Sequence, residues 1–571
     1  MQWQHLFIRD FVLGFIISIF EIINLKVFAM KISFNDIPGQ SPLYLDYLYN
    51  FKKVAKYYIK DFRNEAIYEP HFKDVLSKYP SDRKQVTQTI KNQYLSKRIS
   101  TKTSQNIKLL EEKNTLAVVT GQQLGIASGP LYTIYKTITA IKLANLLTQK
   151  YPEMNFVPVF WLAGDDHDFE EISSVNVINN DNKVEKIVYS VEEEGEKEAG
   201  SVGALKLEQE IEDFISSLGN SLRTTEFTQD VIGYLSSIYQ QGRTITESFS
   251  EMMFKFFDKY GLVIFNPQAE DVKRLLVPVF KKEIENYREH ATKLISVSAG
   301  LDEEYHAQVK IRPINLFVNN ERGRYLLDPL ENNEFRLKRK KVKFTKDELL
   351  QLLESSPEMF SANVILRPVC QDYLFPTAFY VGGPAEISYF AQIIQLYKAF
   401  NIATPIAYPR ISATIVEKSV QSLTQKFDLS VKDFFELKGE IFNNVAAKIS
   451  EYDIDGKFEV TENKVANIFD ELKEYLTEID KTLTDPVERS KQRTLQYFTE
   501  LKGKAESARI RRHESTLNQL QKSYSMILPN DNLQERELNY FYFANKYGLG
   551  FYEYLIDKLD VECIDHQVVM L

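Results

Sequence analysis

Cysteine is nearly absent from this chain. Only Cys370 and Cys563 occur among 571 residues. Two cysteines cannot build a framework of disulfides, and they cannot supply the thiolates of a zinc site. So little cysteine is typical of a protein kept in a reducing compartment. We therefore expect a cytoplasmic protein.

An excess of basic charge is also missing. The 70 Lys and Arg residues are outnumbered by 79 Asp and Glu residues, which leaves a formal net charge of −9. Proteins that bind nucleic acid in general usually carry a basic surface. We therefore expect no nucleic-acid partner. Hydrophobic residues at 44% are typical of a globular protein, and the length allows more than one domain.

The sequence lacks an uninterrupted apolar run of about 20 residues, the length that a membrane helix needs. The best candidate, Phe11–Phe20, is followed by Glu21 and Lys26. Met30 then opens a stretch typical of a soluble start. We interpret residues 1–29 as the product of a mis-set start codon or as a disordered extension, the alternative being a real anchor. No membrane partner is expected.

Glycine is sparse, yet three glycines cluster in one loop. Leu116–Thr120 is apolar and β-branched, which predicts a buried strand. The loop Gly121–Gly129 follows, Pro130 suits a first helical position, and Ile134–Leu147 shows helical spacing. Phe156–Ala163 predicts a second strand. This order indicates a βαβ unit, which places ligands beyond the carboxyl ends of its parallel strands.

This glycine loop and the helix after it are candidates for binding an anion. Backbone N–H groups at a helix N-terminus suit phosphate or carboxylate. The loop matches neither of the common phosphate-binding patterns, so a tight strand-to-helix turn explains it equally well. The candidate binding residues are Gly121, Gln122, Gln123, Gly129, Tyr132, Tyr135 and Lys136.

The second strand is followed by Asp165, Asp166, His167 and Asp168. A histidine among carboxylates can act as a general base or help to bind a metal. No second histidine is near in sequence, so we predict an acid–base or binding role and no metal. Asp165, His167 and Asp168 are the candidate catalytic residues. The alternative is a helix N-cap beside a core histidine.

A second glycine–proline helix start occurs later. Thr377–Val381 predicts a strand, and Pro384 follows Gly382 and Gly383. In a doubly wound sheet, the two glycine loops could face one crevice. Glu386 could hold a substrate amine or simply complement the helix dipole. The candidate binding residues here are Arg367, Gln371, Gly382, Gly383, Glu386 and Arg410.

Two inserts, near 172–250 and 300–345, interrupt this predicted α/β core of residues 30–415. The first contains an acidic run at 192–198, interpreted as an exposed hairpin tip. The second alternates like antiparallel strands. Residues 531–571 are rich in Tyr and Phe, so we expect this C-terminal segment to pack on the core.

Residues 416–530 differ in composition from the predicted core, because glycine is scarce and lysine and glutamate are frequent. Apolar residues spaced by three and four form a seam typical of a coiled coil. The seam consists of Val465, Ile468, Leu472, Leu476, Ile479 and Leu483. A second helix is predicted to start at Pro486. We interpret this region as an antiparallel helical arm that pairs with a second copy of the chain to form a homodimer.

Several motifs resemble the BshC family, the cysteine-adding enzymes of bacillithiol biosynthesis. The resemblance extends from about Met30 to the C-terminus. It is carried by TGQQLGIASGPLYTIYKT, VPVFWLAGDDHDFEEI, NVILRPVCQDYLFPTAFYVGGPAEISYFAQ, the YPR at Tyr408–Arg410 and the LQER at Leu533–Arg536. It implies a Rossmann-like core with two connecting-peptide inserts and a coiled-coil domain used for dimerisation.

The resemblance also implies a function. The family's last step of bacillithiol synthesis joins the carboxyl of cysteine to the amine of glucosaminyl malate. Activation of a carboxyl makes ATP the candidate cofactor. The core is similar to class I aminoacyl-tRNA synthetases, but Tyr132 and Tyr135 stand where their HIGH motif has histidines, and Val416–Val420 matches KMSKS poorly. The alternative is therefore a non-catalytic dimeric scaffold that binds a nucleotide or thiol sugar.

Overall fold

The computed structural model describes residues 30–166, 168–191, 200–320, 323–338, 340–437 and 440–571. The predictions made for residues 1–29, for His167 and for the acidic run at 192–198 lie outside the described residues. The chain divides into two compact units. The first ends at Thr414 and resumes from Asn532 to Val569; the second comprises Ile415–Asp531 and Met570–Leu571.

A short strand and five helices precede the central sheet of the first unit. They are β1 (Met30–Ile32), α1 (Pro42–Tyr49), α2 (Phe51–Tyr58), α3 (Tyr68–Lys78), α4 (Arg83–Gln93) and α5 (Thr101–Leu109). The tyrosine and phenylalanine side chains of these helices are largely buried. Tyr47, for example, stacks on Phe62 with ring centroids 5.3 Å apart. The helices therefore belong to the core of this unit.

The predicted strand–loop–helix–strand unit is present. It consists of β2 (Thr115–Gln122), α6 (Tyr132–Lys150) and β3 (Asn155–Leu162). The two strands pair in parallel along their whole length, with Gly121 opposite Trp161. A Cβ atom on Gly121 would lie 2.8 Å from the Trp161 carbonyl oxygen. Glycine at this position therefore lets the strands stay paired up to the loop.

Helix α6 begins at Tyr132, two residues later than the position predicted from Pro130. The segment before it is held by the C-terminal part of the chain. The Leu131 N–H donates to the Leu538 carbonyl at 2.9 Å, and Pro130 forms a β-bridge with Asn539. The Asn539 side chain also donates to the Gly129 carbonyl at 2.7 Å. These long-range bonds, which local sequence cannot reveal, hold the segment immediately before the helix.

The first insert contains one hairpin and mainly helices. Its elements are α7 (Phe169–Ile172), β4 (Ser174–Ile178), β5 (Val184–Val188), α8 (Glu210–Ser221), α9 (Thr228–Ile238) and α10 (Ile245–Phe257). The chain returns to the central sheet with β6 (Val263–Phe265) and continues into the long helix α11 (Glu270–Asp302).

The second insert is antiparallel, as its alternating pattern predicts. Its elements are β7 (Leu316–Asn320), β8 (Gly323–Pro329), β9 (Glu334–Leu337), β10 (Lys343–Thr345), α12 (Lys346–Ser355) and β11 (Phe360–Ala362). The strand order is β10-β9-β8-β7-β11. Helix α12 opens with a capping box, in which Thr345 and Glu348 bond each other's backbone N–H groups.

The central sheet is completed by the second half of the core. The chain adds α13 (Arg367–Leu374), β12 (Thr377–Gly382), α14 (Pro384–Phe400), β13 (Ile406–Pro409) and β14 (Ala413–Val416). The sheet has the order β13-β12-β2-β3-β6, and all of its pairings are parallel. This is a doubly wound, Rossmann-like order whose switch point lies between β2 and β12. The predicted fold class is confirmed.

The second unit is helical. Its helices are α15 (Lys418–Phe427), α16 (Val431–Leu437), α17 (Glu440–Ile449), α18 (Ile454–Ile479), α19 (Thr484–Arg512) and α20 (Glu514–Ile527). Helices α18 and α19 form an antiparallel hairpin joined by ion pairs such as Lys473–Glu488 at 2.8 Å. The helix predicted to start at Pro486 begins at Thr484, and His513 separates it from α20.

Only part of the apolar seam predicted on α18 is covered by other residues of the same chain. No residue of α18 is fully buried. Val465 and Leu476 are half-buried, whereas Ile468 and Leu472 keep 61% and 43% of their surface exposed. An apolar stripe of Ile468, Leu472, Tyr475 and Ile479 therefore faces away from α19; we call it the arm stripe.

The C-terminal segment returns to the first unit. It contains α21 (Gln534–Glu537), α22 (Tyr540–Tyr547), α23 (Phe551–Lys558) and β15 (His566–Met570). Strand β15 pairs antiparallel with β1, with His566 opposite Ile32. Met30, the first described residue, thus lies opposite Val568 in this pairing.

Candidate active site

A cleft of about 620 Å³ opens at the carboxyl edge of the central sheet. It lies at the switch point between β2 and β12, where doubly wound sheets bind ligands. Both glycine loops and the end of β3 contribute to it, and parts of the second insert complete it. The predicted residues that line it are Gly121, Gln122, Gln123, Tyr132, Lys136, Asp165, Arg367, Gly383, Glu386 and Arg410.

Lys136 and Glu386 join the two halves of the fold at the switch point. Lys136 lies on α6, Glu386 lies on α14, and their charged atoms are 2.5 Å apart. The Lys136 ammonium also donates to the Gly121 carbonyl at 2.6 Å and to Gln122 at 3.0 Å. Only 1% of the Lys136 side chain is exposed. This lysine therefore ties the first glycine loop to the helix that follows the second.

The Glu386 carboxylate is held by three donors. Besides Lys136, it accepts bonds from the Gly383 N–H at 2.9 Å and the Tyr380 hydroxyl at 2.5 Å. Burial alone would raise the pKa of this carboxyl, but Lys136 and the bonded N–H bring it below its usual value. Burial lowers the pKa of Lys136, an effect that Glu386 opposes. In this ion pair the lysine is buried and the glutamate is partly buried, with 21% of its side chain exposed.

Asp165 and Asp166 are the described members of the acidic cluster that line the cleft. The Asp165 carboxylate lies 3.0 Å from the ammonium of Lys273, which is almost fully buried on α11. Arg324 of β8 also lines the cleft, with its guanidinium 3.8 Å from the Phe317 ring centre. Burial lowers the pKa of Arg324, and the charges of Asp165 and Asp166 oppose that shift. Asp165 therefore has a buried ammonium as its ion-pair partner, and a second cation lines the same cleft.

One corner of the cleft is acidic. Asp166 accepts a bond from Gln123 at 2.6 Å, and Glu171 lines the same corner. Burial raises the pKa of Glu171; the nearby Asp166 and Asp168 raise it further, while Gln123 opposes them. The rest of the cleft is mostly basic. Its cationic side chains are Lys136, Lys273, Lys310, Arg312, Arg324, Arg367, Arg410 and Arg536. The cleft can thus hold an anion and an ammonium group at different places.

Some predicted residues do not reach the cleft. Asp168 is the N-cap of α7, where its carboxylate accepts the Glu171 N–H at 3.1 Å. Tyr135 is buried in the core, and its hydroxyl has no hydrogen-bond partner in the described part of the chain. Gln371 is likewise buried and donates to Asp372 at 3.0 Å. Asp168 was predicted to be catalytic, and Tyr135 and Gln371 to bind a ligand. Their positions correct these expectations, because none of the three lines the cleft.

Two predicted glycines also serve the backbone rather than a ligand. Gly129 has a φ of +64°, a conformation that L residues rarely adopt, and its carbonyl is bound by Asn539. Gly382 ends β12, and its carbonyl accepts the Arg410 N–H at 2.9 Å. Their positions shape the two loops beside the cleft. His167 lies outside the described residues.

Several lining residues were not among the predicted ones. Lys273 and Arg324 come from a long helix and an insert strand, and no local pattern marks them. Lys310, Arg312 and Cys370 line the cleft as well. Arg536 belongs to the LQER motif, so the resemblance offered a signal for this residue that residue chemistry alone did not.

The fold and the cleft define a Rossmann-like α/β protein with a charged ligand site at its switch point. Family models agree with this class. The model described as "Bacillithiol biosynthesis BshC, N-terminal Rossmann-like domain" matches residues 30–411, and that of the BshC C-terminal coiled-coil domain matches residues 413–571. The chain belongs to the BshC family of bacillithiol biosynthesis. The resemblance stated from the motifs is confirmed.

Curated relatives support this assignment. Proteins named "Putative cysteine ligase BshC" from Salinibacter ruber and Chloroherpeton thalassium are each 34% identical to this chain. The matches cover 92% and 93% of this chain and 96% of each relative. A relative of the same name from Koribacter versatilis is 30% identical over 94% of this chain and 98% of its own length. The prediction of a ligase is confirmed by this membership.

Across the described ranges, no helix combines the length and the apolar character that crossing a bilayer requires.

Proposed function

We propose that this protein catalyses the last step of bacillithiol biosynthesis, the attachment of cysteine to glucosaminyl malate. An amide forms between the carboxyl carbon of cysteine and the amine nitrogen of the sugar. One carboxyl oxygen leaves with the phosphate of the activating nucleotide, for which we propose ATP. The observation that carries the proposal is the divided charge of the cleft, which is basic over most of its surface and acidic at one corner.

The charges of the substrates match the separation of basic and acidic surface in the cleft. Glucosaminyl malate carries two carboxylates, and Arg367, Arg410 and Lys310 can bind them. The activating phosphate would lie at the glycine loops, close to Lys136 and the N-terminus of α14. Asp166 and Glu171 would hold the ammonium group of cysteine. Asp165 and His167 would accept the proton that the sugar amine loses when it attacks.

A direct assay tests the proposal. Purified protein is incubated with glucosaminyl malate, cysteine and ATP, and bacillithiol is detected by thiol labelling. We expect product only when all components are present, and parallel reactions without ATP or with another nucleotide identify the energy source. Absence of product in every mixture, from protein that still binds one of the substrates, would contradict the proposal.

A second candidate function is a non-catalytic scaffold that binds a nucleotide or thiol sugar. It is favoured by Tyr132 and Tyr135, which occupy the positions of the synthetase histidines, and by the burial of Tyr135 away from the cleft. A tyrosine is a poor proton donor to phosphate at neutral pH. The same assay separates the two, because a scaffold binds ligand without forming product.

We also propose that the protein is a cytoplasmic homodimer that pairs through the arm stripe. The stripe exposes four large apolar side chains on one face of α18. Contiguous apolar faces on soluble proteins commonly mark an interface with another chain. A second copy presents the same stripe, so a two-fold contact would bury both at once.

Changing Ile468 and Leu472 to Asp is expected to convert the dimer into a monomer. Both side chains are exposed in the single chain, so its own fold should tolerate the change. Buried against a second copy, the new charges would cost several kcal/mol. Sedimentation velocity measures the mass. Leu476, which is half-buried in the α18–α19 hairpin, is a poorer choice because its replacement would also disturb the arm itself.

The matched control adds the same two charges elsewhere on α18. Asn463 and Asn467 are exposed and lie off the arm stripe, so changing both to Asp should leave the dimer intact. A dimer that survives the stripe variant, with unchanged helicity, would show that the interface lies elsewhere.

A further inference from the structure

The guanidinium of Arg410 is fixed on several sides where it enters the cleft. It lies over the Tyr132 ring at 5.3 Å, and its Nη1 donates to the Ile411 carbonyl at 2.9 Å. A Cβ atom on Gly383 would come within 3.3 Å of its Nε. The guanidinium therefore lies between an aromatic ring of the first βα unit and the second glycine loop.

The C-terminal segment supplies one further contact to the Arg410 guanidinium, an ion pair with Glu535. Glu535, only 1% exposed, places its carboxylate 2.6 Å from Nη2 of Arg410. The same carboxylate accepts the Ser412 hydroxyl at 2.9 Å and the Ala413 N–H at 2.8 Å. Burial would raise the pKa of Glu535, but Arg410, His566 and the bonded groups bring it below its usual value. Glu535 is therefore an anion without contact to solvent.

A buried histidine, His566, lies beside the residues that surround Glu535. The ring nitrogens of His566 lie 2.7 Å from the Ser412 hydroxyl and 2.8 Å from the Thr414 hydroxyl. Burial lowers the pKa of His566 to about 4, so the ring is neutral at physiological pH. The cation that balances Glu535 is therefore Arg410, and the histidine orients the hydroxyl that binds the same carboxylate.

We propose that Glu535 is a positioning residue that presents the Arg410 guanidinium to a carboxylate of the sugar–malate substrate. The proposal rests on the proposed function. A guanidinium has five N–H donors, of which Glu535 and the Ile411 carbonyl each take one. The others remain for a ligand carboxylate, which guanidinium groups bind in a two-pronged geometry. The C-terminal segment, remote in sequence from both glycine loops, thereby takes part in substrate recognition.

Glu535→Gln is the first test. Glutamine keeps the size of the side chain but turns a neutral amide toward Arg410, so the guanidinium is no longer held in one position. We expect the KM for glucosaminyl malate to rise about tenfold or more, with much smaller changes in kcat and in the KM for cysteine. A merely structural role would lower the melting temperature and the yield of active protein without this selective change.

The matched control is Glu537→Gln. This residue lies on the same short helix α21, accepts bonds from Asn176 and Asn532 instead, and does not line the cleft. The charge change is identical, so the KM values should stay within about twofold of the wild type. An equal effect in both variants would overturn the proposal.

A double variant without an unpaired buried charge tests whether Glu535 acts through Arg410. Glu535→Gln leaves Arg410 without its buried partner, whereas Arg410→Met combined with Glu535→Gln leaves no unpaired charge. If Glu535 acts through Arg410, the KM of the double variant should equal that of Arg410→Met alone. A further tenfold rise in the double variant would show that Glu535 acts by another route.

An activity-free measurement separates this proposal from the proposed function. Malate serves as the probe, and calorimetry compares its affinity for the wild type and for Glu535→Gln. We expect about a tenfold loss of affinity. Unchanged malate binding overturns the positioning role even if the enzyme is active, whereas weakened binding by a protein that makes no bacillithiol supports the role and rejects the reaction.

Discussion

Replacing Lys136 by methionine is expected to lower bacillithiol formation about a hundredfold or more and to destabilise the protein by about 3–5 kcal/mol. The loss of stability follows because Glu386, which is only 21% exposed, would lose its ion-pair partner. The loss of activity follows because Lys136 fixes the first glycine loop through the Gly121 carbonyl and carries positive charge to the switch point. Denaturant unfolding and the bacillithiol assay measure the two effects.

A double variant separates the effect of Lys136 on stability from its effect on activity. Lys136→Met combined with Glu386→Gln leaves no unpaired charge, so most of the stability should return while the activity stays low. Lys142→Met is the control on the same helix. Lys142 donates to the Ile556 carbonyl at 2.6 Å and does not line the cleft, so its loss should leave turnover near normal. A stable double variant with near-normal turnover would remove Lys136 and Glu386 from the site.

Local patterns predicted the part of the cleft that the βα units build. The strand before Gly121 and the helix after it followed from apolar runs and helical spacing, and the end of β3 placed Asp165 at the sheet edge. Tyr132 and Lys136 are four residues apart and share one face of α6, which faces the cleft. Tyr135, three residues after Tyr132, is buried instead. Spacing alone does not make this distinction, because residues three and four apart are both neighbours on a helix.

The other parts of the cleft are formed by contacts between segments that are far apart in sequence, so local patterns did not predict them. Asn539 and Leu538 bond the first glycine loop and the segment just after it, although more than 400 residues separate Asn539 from Gly129. Lys273 pairs with Asp165 from a helix, and Arg324 lines the cleft from an insert strand; neither residue belongs to a motif. Such residues are selected by tertiary packing, for which a single sequence carries no periodic signal.

Changing Asp165 to Asn is expected to lower activity about a hundredfold or more, the usual scale for an acid–base group. Of the two cluster carboxylates that line the cleft, Asp165 is the one paired with Lys273, at 3.0 Å. The variant should also be less stable, since Lys273 would remain buried without its partner. Asp165→Asn combined with Lys273→Met should recover stability but not activity. His167→Asn, at the residue predicted from the cluster, should lower activity by a similar factor.

Asp168 supplies the matched comparison, because it carries the same charge three residues further on. Its carboxylate caps α7 and does not line the cleft, and asparagine caps helices about as well as aspartate. Asp168→Asn should therefore keep both the melting temperature and the turnover. The bacillithiol assay and thermal melting, run on all the variants, decide between the alternatives. A larger loss of turnover in Asp168→Asn than in Asp165→Asn would reverse the assignment, because the charge that matters would then lie at the helix cap and not beside Lys273.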